Sequence, residues 1–178
     1  MSHTMIKKTA FATALKELLQ KQPFSKISVT DICKECGVSR KSFYYHFKDK
    51  HDLVDWIFYT ECATPIEEEN ITEFWIFYKK LATYIYENRH YFIDLFKVEG
   101  AFSFRNTLTV FMTRNFIKYI HNYFEDNDDY SSQEKRDDCL DFLSATFIAS
   151  VVNWITNHPH LTPEQFIEVI KFDKLIST

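Results

Sequence analysis

Between Cys36 and Lys50 the chain reads Cys-Gly-Val-Ser-Arg-Lys-Ser-Phe-Tyr-Tyr-His-Phe-Lys-Asp-Lys. Arg40 and Lys41 are adjacent cations. Ser39, Ser42, Tyr44 and Tyr45 bring hydroxyls, His46 an imidazole, and Lys50 a further ammonium. This set suits a polyanion. An arginine fork can take guanine O6 and N7 together, a contact worth about 1–3 kcal/mol of base discrimination. Tyrosine hydroxyls, lysines and a helix amino terminus suit phosphate oxygens, which position a protein without reading sequence. Signatures of bond-breaking chemistry are missing: the chain has no phosphate loop, no G-x-S-x-G, no H-E-x-x-H and no convincing pair of carboxylates. Cys33 and Cys36 form a C-x-x-C, but no second pair completes a zinc set, and His158-Pro159-His160 is too tight to do so. They read as small buried thiols, so no metal and no cofactor is expected.

Those side chains need a scaffold, and the flanking residues supply one. Ser28 stands three residues before Asp31, a capping-box pair that starts a short helix carrying Ile32 and Cys33 on its apolar side. Gly37, one of only two glycines in 178 residues, can adopt the left-handed backbone that ends a helix without steric cost. Ser39 then caps a second helix. Phe43 and Phe47 lie one turn apart and turn inward, which leaves Arg40, Lys41, Ser42, Tyr44, Tyr45 and His46 on the other faces. Helix, glycine turn, helix is the helix-turn-helix pattern, whose second helix presents its amino-terminal end to the major groove.

Charge distribution agrees with that reading. The formal net charge is −4, yet residues 1–60 carry +4 and the remainder −8. A basic amino-terminal third on an acidic body suits a polyanion-binding head.

The rest of the chain reads as helix. With glycine nearly absent, the tight turns of hairpins are mostly unavailable. Ile6, Ala10, Ala14, Leu15, Leu18 and Leu19 share a face of a first helix. Phe74, Phe77, Tyr78, Leu81 and Ile85 share another, and long helices are expected over roughly 102–125 and 134–157. Pro65 opens an acidic, solvated link through Glu67, Glu68 and Glu69. Thr162 caps a last helix with Pro163 at its first position. No apolar run approaches the ~18 residues of a membrane span, and the first residues are too polar for a secretory signal. The expectation is a cytoplasmic, all-α protein. A three-helix DNA-binding domain over 1–60 is followed by a helical bundle over 61–178.

From Ile27 to Leu53, the segments Thr30-Asp31-Ile32, Gly37-Val38-Ser39, Phe43-Tyr44-Tyr45-His46-Phe47 and Lys48-Asp49-Lys50 resemble the DNA-binding domain of the tetracycline-repressor (TetR) family. The likeness covers about residues 6–60. It implies phosphate contacts from Ser28 and Thr30, and a groove-facing set of Arg40, Lys41, Ser42 and Tyr45 beside Ser39. It also implies phosphate contacts from Tyr44, His46 and Lys50. Cys33 and Cys36 depart from the small residues, such as Ala, usual there. Glu87-Asn88-Arg89, Phe92, Leu95-Phe96, Gly100 and Ser103-Phe104 are similar to the regulatory domain of TetR-type regulators of Gram-positive bacteria. That likeness implies a homodimer closed by the last two long helices, here 134–157 and 163–176, with Phe147, Val151, Trp154, Phe166 and Ile170 at the interface. It further implies an effector pocket, for which the aromatic residues Phe74, Tyr78, Phe92, Phe96, Phe104, Phe111 and Phe147 are candidates. The partners expected are a double-stranded DNA operator, a second copy, and a small-molecule or protein effector, with no membrane. A repressor is the first expectation. An activator controlled by a partner protein, and a helical interaction module without sequence-specific DNA binding, are the alternatives.

Overall fold

The structure, a computed structural model, describes residues 3–98 and 103–171, and regular structure among them is entirely helical. In chain order the elements are α1 (His3–Leu19), a 3-10 turn (Phe24–Lys26), α2 (Val29–Cys36), α3 (Arg40–His46), α4 (Lys50–Phe58) and a π turn (Tyr59–Ala63). There follow α5 (Thr64–Glu68), α6 (Phe74–Glu87), α7 (Arg89–Leu95), α8 (Phe104–Glu125), a 3-10 turn (Asp128–Tyr130), α9 (Gln133–Asn157) and α10 (Pro163–Ile170). The chain forms two compact units: Met1–Thr64 with Asn88–Phe104, and Pro65–Glu87 with Arg105–Thr178. The sequence reading divides the chain once, near residue 60. The first unit instead takes in a second segment, which carries α7.

The first unit is built on phenylalanine. Phe11, Phe43 and Phe58 are fully buried and Phe47 nearly so. Phe11 meets Phe43 edge-on with centroids 5.1 Å apart, and the Phe47 ring at 6.3 Å. Edge-to-face pairs of this kind add about 0.5–1.5 kcal/mol beyond the area they bury. The inward face of α1 is therefore Phe11, Ala14, Leu15 and Leu18. Ile6, expected on that face, is 55% exposed, because the register that buries the large Phe11 ring turns Ile6 outward. Phe92 and Phe104 pack at 5.1 Å, and Phe104 meets Phe58 at 5.2 Å.

In the second unit a cluster joins α6, α8 and α9. Phe74 lies 5.0 Å from both Phe116 and Phe147, and Tyr78 4.8 Å from Phe147. The Tyr78 hydroxyl donates to the Phe147 carbonyl at 2.8 Å and lies 2.9 Å from Ser150 Oγ, which satisfies it inside the core. Trp154 is stacked between Tyr86 and Phe166, at 5.1 and 4.1 Å. The Thr162 capping box and Pro163 start α10 as expected. Its helix ends at Ile170, with Lys171 as C-cap, short of the expected 176; residues 172–176 lie outside the described residues.

Two expectations are corrected. Pro65 does not open a loop but lies in the first turn of α5. Thr64 N–H bonds the carbonyl of Tyr59, five residues back, and this wider coil accommodates a residue that has no N–H to give and whose ring would otherwise crowd the carbonyl of Glu61. Nor is the glutamate run a free link. Glu67 accepts from Arg114 Nη2 at 2.7 Å and Asn115 Nδ2 at 3.0 Å, and Glu69 pairs with Lys80 at 2.8 Å. In addition, α9 is long and apolar enough, by length and composition alone, to cross a membrane. Alanine, serine and threonine interrupt the larger residues there, so no continuous apolar run marks the stretch in the sequence. Only 33% of that stretch is buried.

Gly37 behaves as its scarcity suggests. It has φ 67°, in the left-handed region. Its N–H bonds Lys34 O at 3.3 Å while Val38 N–H bonds Cys33 O at 3.1 Å, the paired closure of a Schellman end. A Cβ here would meet nothing within 4 Å, so the backbone angle is the whole constraint. Gly37→Ala is expected to destabilise the protein by about 1–2 kcal/mol, and Gly37→Asn by less. Urea unfolding measures this. An unchanged midpoint for the alanine variant would show that the turn does not need glycine.

Candidate nucleic-acid interface

The interface begins with the caps. Ser28 and Asp31 close the reciprocal box: Ser28 N–H donates to Asp31 Oδ2 at 2.9 Å and Asp31 N–H to Ser28 Oγ at 3.2 Å. The Ser28 hydroxyl donates to the same carboxylate at 2.6 Å. These bonds, the side-chain one first, hold the Asp31 carboxyl below the usual carboxylate range. Ser39 Oγ accepts from Ser42 N–H at 3.2 Å and starts α3. Asp49 caps α4 by accepting from His51 and Asp52 N–H at 2.7 and 3.0 Å.

On α3, burial of Phe43 decides everything else. With that ring inward, Arg40 and Lys41 are exposed at the first turn, Tyr44 is 51% exposed and Tyr45 83%. Exposed aromatic rings on a monomer face cost solvation unless a partner covers them. The Arg40 guanidinium carbon lies 5.9 Å from the Tyr44 ring centroid, so the ring steers the fork. Ser42 and His46 are half-buried at the rim, and Thr30 is half-buried on α2. His46 packs against Tyr45 at 5.0 Å and Phe11 at 6.5 Å. Partial burial, then the charges of Lys8, Lys7 and His3, hold its imidazole below its ordinary value.

Three residues outside the helix-turn-helix join this face. The start of α1 brings His3, Lys7 and Lys8 beside His46, and the Lys8 ammonium sits 5.2 Å from the Phe47 centroid and 5.6 Å from that of Trp56. The two adjacent lysines were the available signal, but only the packing of α1 shows which face they join.

Lys50 lies elsewhere. Its ammonium turns inward and donates to the carbonyls of Phe24 at 2.6 Å and Ile27 at 2.8 Å, 4.3 Å from the Phe24 ring centroid. Desolvation lowers its pKa, with Asp49 and Asp94 opposing. The expected phosphate contact is thus occupied by protein carbonyls. Ser28, likewise, has its hydroxyl committed to Asp31. Cys33 is buried and Cys36 half-buried, both free thiols, and the buried one is a small packing residue of α2.

The candidate pocket residues divide between the two units. Phe92, Phe96 and Phe104 belong to the first unit, whereas Phe74, Tyr78, Phe111 and Phe147 belong to the second. Of these, Phe92 and Phe111 are fully buried and Tyr78 almost so, in ring-to-ring contact with neighbours of their own unit. Gly100 lies outside the described residues. A different cavity, about 330 Å³, lies in the second unit, lined by Glu67, Asn70, Thr72, Asn115, Lys118 and Tyr119 among others. Asn115, buried mid-helix, holds its wall: Nδ2 donates to Glu67 and to Phe111 O, and Lys118 Nζ donates to Oδ1 at 3.1 Å.

Several residues expected at a dimer face sit in the core of the protomer itself. Val151, Trp154 and Phe166 are buried within the protomer, and Phe147 and Ile170 are half-buried, because these side chains fill the core between α6, α9 and α10. The outward side of α9 carries Phe142, 76% exposed, with Ala145 and Ala149. On α8, Val110 and Ile117 are exposed two turns apart. Thr113 Oγ1 and Ser144 Oγ, 2.9 Å apart, tie the two helices.

Comparison with known proteins fits this geometry. Residues 12–57 match the bacterial regulatory proteins of the tetR family, and residues 73–172 match a transcriptional regulator C-terminal region. The HTH-type dhaKLM operon transcriptional activator DhaS of Lactococcus lactis subsp. lactis (strain IL1403) is 31% identical over 70 residues. That stretch is 39% of this chain and 37% of the relative, so little more than a third of the relative's length is matched. A solved structure of the dihydroxyacetone kinase operon activator DhaS has a TM-score of 0.65 at 21% identity, covering 93% of this chain and 94% of that one, and so shares its fold. With a capped helix-turn-helix in the first unit and both halves of the chain matched, the protein belongs to the TetR family of bacterial transcriptional regulators.

Proposed function

We propose that this regulator binds a two-fold-symmetric operator as a homodimer, with α3 in the major groove and an effector acting on the second unit. The observation that carries the reading is the outward set on α3: Arg40, Lys41, Tyr44 and Tyr45 all meet solvent because Phe43 and Phe47 hold the helix down. Arg40 reads bases; Lys41, Tyr44, Tyr45, His46 and the α1 lysines hold phosphates. Ser39 and Ser28 serve as caps, Ser42 and Thr30 stand at the rim, and Lys50 braces the turn before α2. The protein then acts in the compartment that holds the DNA.

Homodimerisation is supported by α9, whose outward side carries Phe142, 76% exposed, with Ala145 and Ala149. A second copy meeting Phe142, Val110 and Ile117 would remove that surface from water and pair the reading heads in two-fold symmetry. Effector control is supported by the cavity of about 330 Å³ on α5, α6 and α8, whose lining mixes polar groups with Ile66, Ile71 and Phe77. An effector shifts operator affinity only through differential affinity for the two states.

On the direction of control, the name of the DhaS relative favours activation over repression. Expression of a reporter from the bound promoter, with and without the gene for this protein, separates the two. An enzymatic reading has no reactive constellation behind it. An interaction module without DNA binding leaves the exposed Arg40 and Tyr45 without a task.

Three outcomes test the proposal. Arg40→Ala should lose about 1–3 kcal/mol of preference for the selected operator over scrambled DNA while retaining salt-dependent binding to both. Equal preference in the two proteins, by gel shift, would remove α3 as the reader. Phe142→Glu should yield a folded monomer by light scattering with weakened operator binding; a dimer as tight as the parent would move the interface elsewhere. Because the neutral form of His46 is favoured in the free protein and phosphate favours the charged form, binding should take up a proton. Operator affinity should rise as pH falls from about 8 to about 6, and His46→Gln should flatten that slope. The same lowered pKa means that the unfolded state protonates first, so His46 withdraws stability from the free fold below about pH 6.5.

A further inference from the structure

Phe24 is held at both ends of its backbone. Its N–H donates to the Asp94 carboxylate, on α7, and its carbonyl accepts from Lys50, at the start of α4. Lys50 also takes the Ile27 carbonyl, so one ammonium spans the 3-10 turn that leads to the Ser28 cap of α2. The Phe24 ring, 1% exposed, lies under Lys50 and edge-on to His51 at 5.0 Å. Lys97, 70% exposed, also pairs with Asp94 at 3.9 Å, a loose contact.

All of these groups lie in the first unit, yet Asp94 reaches it by an unusual route. The segment Asn88–Phe104 enters from Glu87 of the second unit and leaves into Arg105 of the second unit. Both of its covalent ends therefore belong to the other unit. The carboxylate of α7 holds the turn that leads to the start of α2.

We propose that Asp94 is a positioning residue for DNA reading, a latch that, with Lys50, fixes the turn Phe24–Lys26 and so the pose of α2 and α3. It rests on the reading of α3 as the DNA-contacting helix. Neither side chain needs to touch DNA. A charged carboxylate accepting a backbone N–H is among the stronger hydrogen bonds, and an amide oxygen in the same place can still accept. That distinction lets a conservative variant separate positioning from mere packing.

The test uses the full chain with a duplex recovered by selection from random DNA, a scrambled duplex of equal length, and fluorescence anisotropy over a salt series. Asp94→Ala should weaken binding to the selected duplex about tenfold, leave the scrambled duplex within about twofold, and keep the salt slope, because no phosphate contact is lost. Asp94→Asn should recover most of the affinity. Hydrogen exchange of residues 24–36 in the free protein should quicken in Asp94→Ala. Lys50→Met should repeat the pattern and add little to Asp94→Ala, since the two share one turn. Equal losses on both duplexes, full affinity in Asp94→Ala, or a salt slope lowered by Lys50→Met would each overturn the proposal. Unchanged exchange in Asp94→Ala overturns the latch alone. A parent protein that does not prefer the selected duplex overturns the DNA reading and the positioning role with it.

Discussion

A seven-residue helix has room for one buried face, and in α3 that face belongs to Phe43. Its ring is fully buried against Phe11, with Phe47 closing the next turn. Because successive residues turn by about 100°, burying Phe43 turns Lys41, Tyr44 and Tyr45 to solvent, while Arg40 is exposed at the first position of the helix. The cations and hydroxyls are on the outside as a consequence of what the phenylalanines do. The caps at Ser39 and Asp49 and the left-handed Gly37 fix where α3 starts and what precedes it. They cannot choose its face.

The same helical unit is held by groups with opposite habits. Ser28, Asp31, Ser39 and Asp49 are local caps that bond within three residues and would form in a short stretch of chain. Asp94 and Lys50 act across distances of 70 and 26 residues in sequence, on the single residue Phe24. Local caps give each helix its ends. Long-range bonds set one helix against another. A lysine with an ordinary place in the DNA-binding motif thereby acquires a structural partner, because two carbonyls and a phenyl ring offer its ammonium a solvent-shielded seat.

The second unit follows a different balance. Its aromatic wealth is spent on packing: Trp154 between Tyr86 and Phe166, and Phe147 against Phe74, Tyr78 and Phe116. Aromatic residues at helical spacing satisfy one another first, and only the remainder can serve a ligand or a second copy. What remains outward along α8 and α9 includes Val110, Ile117 and Phe142, and the cavity is lined by polar groups together with Ile66, Ile71 and Phe77.

Local chemistry was legible in the sequence, because it depends on neighbours within a turn. The Ser28–Asp31 box, the glycine stop, the Ser39 and Thr162 caps and the inward Phe43 and Phe47 could all be read from spacing. The helix class followed from periodicity and from the near absence of glycine. Tertiary structure alone decided the rest. Nothing in the spacing of Ile6 and Phe11 says which side of α1 is buried until α3 supplies a ring to meet it. Nothing in Pro65 reveals a π turn that lets a helix continue past it. Which apolar residues of α9 face inward depends on α6 and α10, which is why Val151 and Trp154 are core while Phe142 is surface. And Lys50 and Asp94 meet at Phe24 only because the chain, having left the first unit, returns to it.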